Sequence, residues 1–257
     1  MTPSQMETLS IGQKPVHKSE TETTTFPWKP LYRIGGTAAS TIVGIMVIQI
    51  IVFIAWPPPG TVLGYFTLFH KNWLLGLLSL DLLYIVDNVL VIPLYLALYA
   101  ALRRASPSFM AIALAFGLVG IAAYFASNTA FEMLSLSNQY AAATTTMQRV
   151  QFLAAGQAML ATYQGTAFNV YYILGAIATL IISVVMMRSS IFGKVTAYAG
   201  IAAGALMLIP STAGTIGLFF AFCSLVPTAV WLILTAQRLL QLSQGGLKEE
   251  KKLPAPA

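Results

Sequence analysis

The chain has 257 residues, of which 57% are hydrophobic and only 9% charged, with a net charge of +6. Ordinary soluble domains are about a quarter charged, so a soluble fold is excluded, and the length divides into apolar spans and short connections with no room for a separate globular module. The one cysteine, Cys223, excludes an internal disulfide and a cysteine-rich metal site, and its apolar surroundings make it read as a small buried residue.

Residues 1–30 are rich in Thr, Ser, Lys and Glu and hold no apolar h-region, which reads as a disordered cytoplasmic tail rather than a cleavable signal, with His17 on its surface. A first span is expected over residues 34–56, bracketed by Trp28, Tyr32 and Trp56 as interfacial aromatics. Gly36, Ser40 and Gly44 recur every four residues, a small-residue stripe suited either to packing within the chain or to pairing with a partner span. Pro57, Pro58, Pro59 and Gly60 end this helix. Residues 61–72 are too short to cross and too aromatic for a free loop, so they are placed in the outer interface. His70 there reads as an interfacial side chain, with a metal or catalytic role as the alternative.

Residues 73–104 form an almost unbroken apolar run, about 45 Å long as a helix against a hydrocarbon core of roughly 30 Å. It must tilt, bend or begin outside the core. Arg103 and Arg104 anchor its inner end, and counting back about twenty residues puts the outer edge near Leu82. Asp81 then sits at the rim and Asp87 and Asn88 inside the outer half, with Pro93 allowing a kink. A third span covers residues 109–127 and continues with no breaker through Asn128, Glu132 and Asn138. Residues 139–164 make an outer connection whose Gln157 and Gln164 share a helical stripe with Tyr171, so this segment can pack over the mouth of a bundle. A fourth span over residues 166–187 ends at Arg188 and carries Asn169 near its outer end. A fifth over 195–209 is stopped by Pro210 and holds Gly200 and Gly204. A sixth over 215–236 contains Pro227 and is anchored by Arg238. Residues 241–257 are charged and Pro-ended, a second disordered cytoplasmic tail.

Six spans place Lys14, Lys18, Lys29, Arg33, Arg103, Arg104, Arg188, Lys194, Arg238, Lys248, Lys251 and Lys252 on one side, leaving Lys71 and Arg149 on the other. This positive-inside asymmetry puts both termini in the cytoplasm of a cell whose inner (plasma) membrane holds the chain. No nucleic-acid motif accompanies the charge.

Acidic side chains inside a span cost about 2.5–3.5 kcal/mol at its centre on insertion scales, so they turn toward the protein interior. Asp81, Tyr84, Asn88 and Tyr95 form one stripe, with Asp87 about 100° to one side. Ser127, Asn128 and Glu132 from the third span, and Gln164 and Asn169 at the start of the fourth, reach the same outer level. Together they predict a polar pocket near the outer leaflet. Two readings stay open: a hydrogen-bonded network that holds three helices together, or a site for a small molecule, ion or proton, where acids without basic partners favour a cation. Enzyme chemistry has little to stand on. Histidine clusters, nucleophile motifs, phosphate-cradling loops and dinucleotide fingerprints are all missing from the sequence, so no catalytic residue, metal site or cofactor is assigned.

The runs LYRIGGTAAS, VDNVLVIPLYLALYAALRR, SNTAFEMLSLSNQYAAATT, AAGQAMLATYQGTAFNVYYILG and MMRSSIFGKVTAY together resemble a family of bacterial and archaeal integral membrane proteins catalogued as a domain of unknown function. The resemblance covers about residues 31–240 and implies a prokaryotic multi-pass protein. It supplies no catalytic or binding residues. The expectation is an all-α, six-span polytopic bundle over residues 31–240, binding a small polar or cationic ligand as a transporter-like or sensor-like protein. The alternative is an accessory or scaffold subunit, with a partner membrane protein or a second copy of the chain as its partner.

Overall fold

A computed structural model describes residues 28–250, whose regular elements are all helices: α1 (Lys29–Ala55), α2 (Val62–Lys71), α3 (Trp73–Leu78), α4 (Leu82–Leu102), α5 (Pro107–Ser127), α6 (Ala130–Ala142), α7 (Thr146–Tyr163), α8 (Thr166–Met187), α9 (Lys194–Leu206) and α10 (Gly214–Glu250). Residues 1–27, with His17, and residues 251–257 lie outside the described part. Among the described residues five stretches are long and apolar enough to cross a membrane: Lys29–Ala55, Leu82–Leu102, Pro107–Ala142, Thr146–Met187 and Gly214–Gly245. The chain is an integral membrane protein of all-helical class. The 13-residue α9 falls below that length.

Local chemistry sets the ends of these helices. Prolines in the first turns of α1 and α5 have a fixed φ and no N–H to lose. Thr145 and Gln148 close a reciprocal capping box at the start of α7. The third span does not continue as expected: α5 stops at Ser127 and Asn128 turns to extended backbone. The Asn128 amide donates to the Leu80 carbonyl at 3.0 Å and its oxygen accepts the Ala130 N–H at 3.1 Å. An amide that serves backbone groups outside its own ladder competes with helix, and here it wins. The last helix, in contrast, runs on through Glu250, past residue 240, because Leu239 and Leu240 still pack against α1 and no proline intervenes.

Six helices close a ring in which α1 packs on α4, α4 on α5, α5 on α8, α8 on α9, α9 on α10 and α10 back on α1. At its Arg103 end the ring is filled by an apolar cluster that includes Leu98, Leu102, Met110, Ile182, Met186 and Leu239. At the opposite end α2, α3, α6 and α7 pack on one another as a cap around a second cluster that includes Phe66, Phe69, Leu80 and Met133. Lipid is as apolar as leucine, so these helices gain little from apolar burial against one another and depend on close approach. Gly35 meets Ala97 and the Pro93 carbonyl of α4, and Gly36 meets Leu240 and the Ala236 carbonyl of α10. Gly200 faces Ser183 and Trp231, and Gly204 faces Leu180 and the Ala176 carbonyl. At these positions the glycines serve packing within the chain. Ser40 and Gly44 are exposed instead, with nothing within 4 Å of a Cβ at Gly44. Cys223, expected as a buried residue, is exposed on the outward surface of α10, where lipid-facing side chains need no polarity.

Candidate functional site

The expected single helix over 73–104 is broken at residues 79–81, and the break organises the site. Asp81 adopts φ 63°, ψ 32°, the left-handed region that aspartate tolerates better than most side chains. Three carbonyls at the break accept side-chain donors from other elements, and two of them, Leu78 O and Asp81 O, also keep backbone donors, the N–H groups of Asp81 and Ile85. Gln49 of α1 donates to Leu78 O at 3.4 Å, Asn128 to Leu80 O, and the Tyr124 hydroxyl to Asp81 O at 3.3 Å. The Asp81 carboxylate itself accepts the Tyr163 hydroxyl from the end of α7. Non-helical backbone at the edge of a span needs protein or trapped water to satisfy it, and this joint meets that requirement with residues from α1, α5 and α7.

Inside the joint, between the two apolar clusters, lies a cavity of about 550 Å³. Asp81, Tyr84, Asp87 and Asn88 line it from the start of α4, Gln49 from α1, and Tyr171, Tyr172 and Thr179 from α8. Asn88 is 2% exposed and donates to the Tyr84 carbonyl at 2.9 Å, while the Tyr171 hydroxyl approaches the same side chain. The rings continue the wall: Tyr171 lies 4.9 Å from Tyr124, 6.1 Å from Phe168 and 6.5 Å from Tyr172 between centroids. Three polar atoms on the wall meet no hydrogen-bond partner among the described residues: the acceptors Asp87 Oδ1 and Gln49 Oε1 and the donor Trp231 Nε1. Among the described residues no lysine, arginine or histidine lines the cavity. Asp81, in the link before α4, has its carboxyl pushed up to about 6 by burial, against the downward pull of the Tyr163 hydroxyl.

Of the residues that the sequence pattern assembles, the structure brings Asp81, Tyr84, Asp87 and Asn88 to this cavity. Ser127 is fully buried and returns its hydroxyl to the Tyr124 carbonyl at 2.8 Å, and Asn128 braces the joint from behind. Glu132 stands exposed on α6 because the turn at Asn128 carries it out of line with α5. Gln164 is exposed at the end of α7. Asn169 donates to Gly165 O at 2.9 Å and accepts the Thr212 hydroxyl, joining α8 to the α9–α10 link rather than lining the cavity. Sequence reasoning missed Gln49. It is the one amide in residues 42–55, an otherwise apolar run, and the cost of a lone polar group in lipid was the available signal. Trp231 and Ser224, also on the wall, sit in an apolar helix where nothing in the pattern separates inward from lipid-facing positions.

No curated protein and no solved structure matches the chain. A family model described as a domain of unknown function (DUF4386) matches residues 35–240, from the first glycine of α1 to the stretch of α10 that packs on it, and thus takes in the whole ring, the cap and the cavity. The chain belongs to that family.

Proposed function

We propose that this protein binds a small polar or cationic molecule in the cavity, as a transporter-like or sensor-like protein of a prokaryotic plasma membrane. One observation carries the reading: Asp87 is 8% exposed, and among the described residues one of its oxygens lacks a partner and no basic side chain shares the wall. An intramembrane carboxyl left in this condition marks a place where something else supplies the donor or the charge. The test is a thermal-shift screen of the purified chain against small amines, polyols and monovalent cations. A stabilising compound is expected to lose its effect with Asp87→Asn and to keep it with Glu132→Gln, whose side chain lies on the exposed face of α6. A stabilisation that survives Asp87→Asn undoes the reading.

Six crossings and two cytoplasmic ends belong to the same proposal. α9 runs antiparallel to α8, since Gly200 faces Ser183 and Gly204 faces Ala176, and the link after it reaches Asn169 near the opposite end of α8. Residues 194–212 thus travel the length of their neighbour even though the helical part has only 13 residues. The accessory-subunit reading draws on the exposed Ser40 and Gly44, which leave a shallow face on α1. A stoichiometric partner retained in mild detergent supports it.

A further inference from the structure

The way into the cavity narrows the chemistry of what it holds. The cap covers the outer end of the ring: Leu80 and Met133 are fully buried there, and Asp81, Asn128 and Tyr163 tie α4, α5 and α7 together above the cavity. The inner end is filled by the Leu98–Leu102 cluster. Toward the side, however, three wall residues also face outward: Ile54 is 76% exposed, Leu218 50% and Phe222 68%. They belong to the second half of α1 and the first turns of α10, whereas the close approach that Gly36 gives these two helices, against Leu240 and the Ala236 carbonyl, lies toward the other end. That outward surface is itself apolar, with Ile51, Phe219 and Val226 on it, so the aperture faces acyl chains rather than water.

Resting on the reading given under Proposed function, we propose that the ligand is a lipophilic organic cation dissolved in the bilayer, which enters sideways between α1 and α10 past Ile54, Leu218 and Phe222 and sets its charged centre against Asp87. A freely water-soluble ion has no route through such an aperture, and a lipid with neither a hydrogen-bond donor nor a positive charge leaves the Asp87 oxygen unanswered. The aromatic wall of Phe168, Tyr171, Tyr172 and Trp231 suits the class, because ring faces attract a delocalised or quaternary cation and accept its hydrocarbon equally well. A volume of about 550 Å³ holds a compact drug-sized molecule.

The test uses the full chain in lipid nanodiscs, with radiolabelled tetraphenylphosphonium as the probe and protein-free discs as the blank. The expected result is saturable binding of one probe per chain, displaced poorly by tetramethylammonium, weakened about tenfold or more by Asp87→Asn and largely restored by Asp87→Glu. In a Cys223→Ser background, Ile54→Cys alkylated with a bulky maleimide is expected to slow association about tenfold, while Ile34→Cys alkylated in the same way leaves it unchanged. Asp87-dependent binding of tetramethylammonium with none of tetraphenylphosphonium keeps the cation site and overturns the lipophilic class. Probe binding indifferent to both Asp87 variants overturns the anchor, and an unchanged association rate after alkylation at position 54 overturns the lateral route. Absence of saturable binding by either cation removes the cation site itself.

Discussion

At the scale of single residues, Asp81 carries the most physical consequence. Its backbone is held in the left-handed region, its carboxyl is buried, and its partners come from elements far apart in the chain. Burial raises its pKa from the ordinary 3.8 to about 6, so the folded state holds this proton more tightly than the unfolded chain does. The sign follows. Stability from this group is full below about pH 4, falls as pH rises through about 6, and is flat beyond. Asp81→Asn keeps tolerance of the left-handed backbone and an oxygen for Tyr163, so wild type should lose on the order of 2 kcal/mol relative to it between those limits. Thermal unfolding midpoints of both chains from pH 4 to pH 7 check this, and parallel curves count against it. Asn128 belongs to the same joint. Asn128→Leu strands the Leu80 carbonyl and the Ala130 N–H and should cost about 1–3 kcal/mol, whereas Asn138→Leu, on the exposed face of α6, should cost almost nothing in the same unfolding measurement.

Among elements, packing between helices separates glycines that the sequence presents alike. Gly36 and Gly44 share one stripe, yet a side chain at 36 meets Leu240 and the Ala236 carbonyl while one at 44 meets open space. Gly36→Leu should therefore destabilise the bundle by about 1–3 kcal/mol and Gly44→Leu by less than about 0.5 kcal/mol, as read from denaturation in the same detergent. Equal losses would mean that α1 meets a neighbour the ring does not contain. Helix extents were legible because hydropathy and anchoring residues fix them. α4 begins at Leu82, where counting back from Arg103 and Arg104 puts the outer edge, and α8 occupies Thr166–Met187. The two breaks were not legible in the same way. Asn128 and Asp81 look like polar residues on continuous helices, and what turns them into joints is a set of contacts between residues 29 to 82 positions apart, which no local pattern contains. Glu132 is the casualty: its place on the pocket depended on a straight helix that Asn128 ends. Asp81, Tyr84 and Asn88 on one stripe, with Asp87 beside it, needed only the periodicity of one helix, and Gln49 needed attention to a single amide among apolar neighbours.

For the molecule as a whole, the number of crossings turns on α9. Five stretches meet the length and apolarity of a span, and an odd number would leave the two ends of the ring with inconsistent charge: Arg103 and Arg104 on one side, Arg238 on the other. Packing argues otherwise, since the last turns of α10 lie beside the first turns of α1, at Gly36 and Leu240. In the proposed six-span arrangement the chain returns there because residues 194–213 cross between Arg188 and the Asn169–Thr212 contact. A 13-residue helix rises about 20 Å, and the non-helical link to Gly214 supplies the rest of a core of roughly 30 Å. In a Cys223→Ser background, Ala213→Cys and Gln139→Cys, both exposed, should react with a membrane-impermeant maleimide added to intact cells, and Ser190→Cys only after permeabilisation. Reaction of positions 190 and 213 from the same side would reduce the bundle to five crossings, move Arg238 outward, and take from the cavity the wall that α10 gives it.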